Sequence, residues 1–144
     1  MRQIITTTVL GMRLASLTLV AYWSVIFTGT HIPSVRLPSF SNADKAYHFA
    51  AFTGLAILLA WALPKSRRHP RRHLLIALGI GVAYAIFDES TQLLVRGRSA
   101  EVLDFAADCG GLLTGLFVYS VLRSLIAPPL PKLHQPSCGG RVGM

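Results

Sequence analysis

The chain has 144 residues, of which 52% are apolar and only 14% charged, with a mean hydropathy of +0.51. Soluble domains carry about 25% charge, so this composition excludes intrinsic disorder for most of the chain. At one-domain length it also excludes a water-soluble fold able to hide its apolar surface. The net charge of +8 raises nucleic acid as a partner, but the placement of the charges points to membrane topology instead.

Four apolar stretches follow one another, at about 10–29, 45–63, 74–95 and 102–127. Each approaches the ~20 residues that cross ~30 Å of hydrocarbon. They lack strand-like alternation and are rich in Leu and Ala, which predicts helices. The expected fold class is all-α: a polytopic membrane protein with a bundle of four transmembrane helices over residues 1–127. Residues 128–144, rich in Pro and Gly, are expected to form a flexible cytoplasmic tail.

The first stretch follows Arg2 and has an apolar middle, as a signal peptide does. It exceeds a usual signal core and lacks a small-x-small cleavage site, so it reads as an uncleaved anchor with Arg13 snorkelling to the near surface. The connection Thr30 to Ala43 contains Pro33 and Pro38 and is expected to be extended. Between the second and third stretches, residues 64–73 hold five Lys/Arg. Together with Arg2, Arg13, Arg123, Lys132 and Arg141, ten of the fourteen basic residues then fall on one side. The positive-inside rule makes that side cytoplasmic and places both termini there. Short basic loops of this kind are what topology requires, so no nucleic-acid partner is expected.

All six acids lie toward the opposite, outward side, with four basic residues, Arg36, Lys45, Arg96 and Arg98. The second stretch opens Asp44-Lys45-Ala-Tyr-His48-Phe49. Asp44 suits an N-cap, and His48 lies one turn deeper on the same face. The third carries Asp88-Glu89-Ser-Thr-Gln92 about two turns from its outer end, with Asp88 and Gln92 on one face. Each ionised acid at mid-membrane costs on the order of 3 kcal/mol, so two adjacent acids need a reason. The fourth opens Glu101-Val-Leu-Asp104 and continues to Asp108, Gly111 and Gly115 on one face. That pair of glycines admits a close helix neighbour.

His48, Asp88, Glu89, Gln92, Asp104 and Asp108 thus fall at similar depth, beneath Lys45 and Arg98. Buried charges need partners, which predicts ion pairs of Lys45 or Arg98 with Asp104 or Glu89. Asp104 and Asp108, one turn apart, repel if both are ionised. One is therefore protonated, or a cation lies between them: Lys45, Arg96, Arg98 or a metal ion. The bland account is a structural network that fixes helix register. The functional account is an outward-facing site made by Asp44, Lys45, His48, Asp88, Glu89, Gln92, Arg98, Asp104 and Asp108. No cofactor is expected, although a His among carboxylates also suits a divalent cation. Cys109 lies in an apolar stretch and Cys138 in the tail, so no bridge between them is expected.

The ordered set Asp44-Lys45-x-x-His48-Phe49-x-x-Phe52-x-x-Leu55, Asp88-Glu89-x-x-Gln92, Gly97-Arg98 and Asp104-x-x-x-Asp108-x-x-Gly111-x-x-x-Gly115 resembles the VanZ-like family of small bacterial membrane proteins, over roughly residues 40–118. The resemblance implies a multi-pass protein of the bacterial inner membrane and a link to resistance against teicoplanin, a glycopeptide that targets cell-wall precursors. It supplies no catalytic mechanism. The family usually has Asn where this chain has Asp108, and Pro where it has Arg96. The leading expectation is recognition of an anionic envelope lipid or lipid-linked cell-wall precursor, with Arg98, Lys45 and Arg96 drawing the phosphate. The rival is an enzyme acting on a lipid-linked phosphate or acyl group, with His48, Asp88 and Glu89 as catalytic candidates, though GxSxG, HExxH and P-loop motifs are all missing. A third reading is a small proton- or ion-coupled transporter.

Overall fold

Leu and Ala, strong helix formers, fill the apolar stretches, and four helices result. In the computed structural model, which describes residues 8–9, 12–32, 43–65, 69, 71–96 and 101–126, α1 spans Leu14–His31, α2 Ala43–Ala62, α3 Arg72–Gln92 and α4 Val102–Ile126. Ahead of α1, two two-residue strands, β1 (Thr8–Val9) and β2 (Met12–Arg13), pair antiparallel. Helices α2, α3 and α4 are each long and apolar enough to cross a membrane. Helix α1 has 18 residues, about 27 Å at 1.5 Å per residue.

Three boundaries differ from the sequence expectation. Helix α1 runs on through Thr30 and His31, which therefore belong to the helix and not to an extended connection. Helix α2 starts at Ala43, so Asp44 sits inside the first turn instead of capping it; its carboxylate still lies at the positive end of the helix dipole. Helix α3 ends at Gln92, where Leu94 N–H bonds Thr91 O and Val95 N–H bonds Gln92 O in tight turns. Asp88 and Glu89 are consequently one turn, not two, from the end of α3.

The bundle is organised around the α2–α4 contact, its most extensive. Gly111 and Gly115 lie directly against the α2 backbone: a Cβ at Gly111 would collide with the Phe49 carbonyl and one at Gly115 with the Thr53 carbonyl. Such small residues one turn apart let two helices meet backbone to backbone. Phe52, Leu55, Leu59, Ala77, Ala85 and Leu112 form the buried centre. Helix α1 joins through Tyr22, whose hydroxyl donates to Ala51 O at 3.0 Å, and through Trp23, edge-on to Tyr84 at 4.9 Å.

The partition of polarity is inverted relative to a soluble protein. Leu94 is 85% exposed, Val102 84% and Leu125 76%, while Asp88 and Asp108 are fully buried. Large apolar side chains on every helix face outward, which suits hydrocarbon and not water. The two ends of the bundle also differ. Lys65, Arg71 and Arg72 lie where α2 ends and α3 begins, with the Lys65 ammonium 5.3 Å over the Tyr119 ring. The six acids lie at the other end, where α2 and α4 begin and α3 finishes.

Candidate functional site

The α2–α4 approach sets the geometry of the acidic end. Phe49, whose carbonyl abuts Gly111, directly follows His48, and Asp108 lies three residues before Gly111. The same close contact therefore brings His48 and Asp108 face to face, with Nδ1 of His48 2.9 Å from Oδ1 of Asp108. Helix α3 adds Glu89, whose Oε1 is 3.9 Å from His48 Nδ1. Its Oε2 accepts the Glu101 backbone N–H at 3.1 Å, so a carboxylate of α3 neutralises the positive N-terminal end of α4. Lys45 closes this group from above, with its ammonium 3.0 Å from Glu101 Oε2, 3.3 Å from Asp44 Oδ2 and 3.4 Å from Asp104 Oδ1.

Asp88 belongs to a second group, between α1 and α3. Its Oδ1 accepts the hydroxyls of Thr30 at 3.0 Å and Tyr84 at 3.2 Å, and its Oδ2 accepts Gln92 Nε2 at 2.8 Å. His31 Nδ1 stands 4.0 Å from the same carboxylate, and its Nε2 is 2.9 Å from the Thr91 hydroxyl. Asp88 is thus enclosed by donors on both oxygens, as a buried carboxylate requires. Below this group an open, mainly apolar groove of about 490 Å³ runs between α1 and α3, lined by Val20, Trp23, Phe27, Tyr84 and Phe87. Tyr84 belongs to both, and Phe27 stacks on His31 at 4.0 Å, so the groove leads into the Asp88 group.

The structure therefore brings Asp44, Lys45, His48, Glu89, Asp104 and Asp108 into one group and Asp88 and Gln92 into the other. Of the anticipated pairs, Lys45–Asp104 is present, and Glu89 faces His48 rather than Lys45. Asp108 takes His48 as its partner, not Arg96, which is exposed and forms no ion pair among the described residues. Arg98 lies outside the described residues. Sequence reasoning passed over Thr30, His31, Thr91 and Tyr84. Tyr84 carried a signal, since it lies one helical turn from Asp88 on the same face; Thr30 and His31 carried none, because only the docking of α1 on α3 brings them in. Three buried carboxylate oxygens, Glu89 Oε1, Asp104 Oδ1 and Asp108 Oδ2, have no hydrogen-bond partner among the described residues.

A family model described as VanZ/LLP1 matches residues 3–123. No curated protein and no solved structure matches the chain.

Proposed function

We propose that this chain, which belongs to the VanZ/LLP1 family, binds an anionic envelope lipid or lipid-linked cell-wall precursor at an outward-facing polar end. It crosses the bacterial inner membrane four times, with both termini and the basic 64–73 segment in the cytoplasm. The observation that carries this reading is the continuity between the apolar groove and the buried Asp88 group. A lipid tail would lie against Trp23, Phe27 and Phe87, and its headgroup would meet the polar end of the bundle. About 490 Å³ falls within the range of small-ligand sites. Lys45 already faces three carboxylates, so attraction of phosphate falls to Arg96 and Arg98, while the acids accept sugar hydroxyls or amines. Holding a cell-wall precursor in this way would reduce its availability to teicoplanin.

Orientation is tested by single-cysteine labelling from outside intact cells, in a background lacking Cys109 and Cys138. A cysteine at position 99 should react and one at position 66 should not; the reverse pattern would put the polar end in the cytoplasm and end the envelope-lipid reading. The lipid itself is tested on protein extracted into nanodiscs with native membrane, followed by mass spectrometry of retained lipid. Phosphate-bearing lipid should co-purify, and Arg98→Ala combined with Arg96→Ala should reduce its retention about tenfold, the loss of one good charged contact. Retention unchanged by the double substitution would defeat the assigned role of the two arginines.

A second reading, a membrane enzyme acting on a lipid-linked phosphate or acyl group, is favoured by one contact. The His48 Nδ1–Asp108 Oδ1 approach at 2.9 Å is the arrangement in which a carboxylate fixes an imidazole tautomer and leaves the other nitrogen as a base.

A further inference from the structure

Three buried carboxylates, Glu89, Asp104 and Asp108, surround one imidazole at the acidic end of the bundle. Lys45 is the only described ammonium against them, and its charge is shared with Asp44 and Glu101. That leaves an excess of negative charge in a low-dielectric setting, where charge needs a counter-charge. Two acceptors there are unmet or shared: Glu89 is 8% exposed and its Oε1 has no hydrogen-bond partner among the described residues, while Oδ1 of Asp104, 6% exposed, meets the shared Lys45 ammonium at 3.4 Å. One ligand atom each from His48, Glu89 and Asp104 lies within 4.8 Å of the others.

We infer that His48, Glu89 and Asp104 bind one divalent transition-metal ion, of the Zn²⁺ or Mn²⁺ kind. One imidazole nitrogen with two carboxylate oxygens suits these ions, whereas Ca²⁺ and Mg²⁺ take all-oxygen shells. Bonds of about 2.0–2.2 Å place tetrahedral ligand atoms about 3.3–3.6 Å apart, so the three atoms close in when the ion enters. The three ligands come from α2, α3 and α4, and the ion ties the helices together at their acidic ends. Asp108 Oδ1 takes His48 Nδ1 at 2.9 Å, so the ion would use the other ring nitrogen, Nε2, and Asp108 would orient the ring as carboxylates beside metal-bound histidines do. Three protein ligands leave a coordination position open. A lipid phosphate oxygen filling that position would obtain the positive charge that the described acids deny it; this last consequence rests on the lipid reading, and metal binding does not.

The test uses the full chain in detergent, stripped with a chelator and titrated with Zn²⁺ alone, with Co²⁺ as a spectroscopic probe. One equivalent should bind, and the Co²⁺ form should show the visible absorption of a nitrogen–oxygen site. His48→Ala and Glu89→Gln should each weaken binding at least tenfold, no less than the loss of an outer-shell partner, about 10–100-fold. His69→Ala, at an exposed imidazole on the opposite end of the bundle, should leave affinity within about twofold, as for a distant site. Lys45→Met should tighten binding, because it removes the cation that competes for Asp104; a misfolded variant would not gain affinity. Absence of a bound equivalent overturns the inference. So does an equivalent that survives both His48→Ala and Glu89→Gln, which would place the ion elsewhere.

Discussion

Gly111→Ala should destabilise the bundle by about 2–3 kcal/mol, the upper part of the range for over-packing, and Gly115→Ala by a similar amount. The new methyl group at 111 would strike the Phe49 carbonyl oxygen, with Thr53 N only 3.1 Å away. At 115 it would strike the Thr53 carbonyl and come within 2.8 Å of the Ala56 Cβ. These neighbours are α2 main chain and a short side chain, so nothing can swing aside, and α2 and α4 must separate. Gly79 is the control: nothing lies within 4 Å of a Cβ built there, and Gly→Ala in a helix gains roughly 1 kcal/mol from propensity alone. Reversible unfolding in mixed micelles would report all three. Because the two glycines share one interface, the double substitution should depart from additivity by more than ~0.5 kcal/mol. If Gly111→Ala behaves like Gly79→Ala, the helices are not in backbone contact and the explanation for the His48–Asp108 approach fails with it.

The parts of this fold that are local in origin were legible in the sequence. Composition alone marks the helices, since nothing but a helix satisfies the backbone of a Leu/Ala-rich segment in hydrocarbon. The small pair at Gly111 and Gly115 signals a close neighbour, and the segregation of acids from the 64–73 basic segment separates the two ends of the bundle. Pairings between helices were not legible. The choice of His48 rather than Arg96 for Asp108 follows from which residue of α2 lies beside Gly111, and that is a fact of helix docking with no trace in spacing along the chain. His48, Asp88, Glu89 and Asp108 lie at the same end of the bundle, but spacing along the chain does not show that Asp88 faces α1 while Asp108 faces α2. Helix ends were displaced for a similar reason. The apolar run through Leu93, Leu94 and Val95 continues past the point where α3 turns, because in a membrane protein apolar character marks contact with lipid and does not mark where a helix stops.

His48→Leu should cost roughly 3 kcal/mol or more, within the range for breaking a buried pair and leaving one charge behind. Asp108 is fully buried and holds His48 Nδ1 at 2.9 Å, and its other oxygen has no partner among the described residues. Removing the imidazole strands that carboxylate and also takes away the ring nitrogen 3.9 Å from Glu89 Oε1. Asp108→Asn should behave quite differently, with a change below about 1 kcal/mol. Asn keeps the shape of the side chain and an acceptor oxygen for the ring N–H, so only the weaker strength of a neutral hydrogen bond is lost. Asp108→Leu separates the two effects, since it removes the acceptor as well as the charge and should resemble His48→Leu in size. A double-mutant cycle of His48→Leu with Asp108→Leu should then return a coupling above about 1 kcal/mol, whereas Arg96→Pro with Asp108→Asn should be additive within ~0.5 kcal/mol, as for residues that do not touch. Measurable coupling to Arg96 together with additivity at His48 would show that the charge of Asp108 is balanced from the turn after α3 rather than from α2, and the assignment of its partner would have to be reversed.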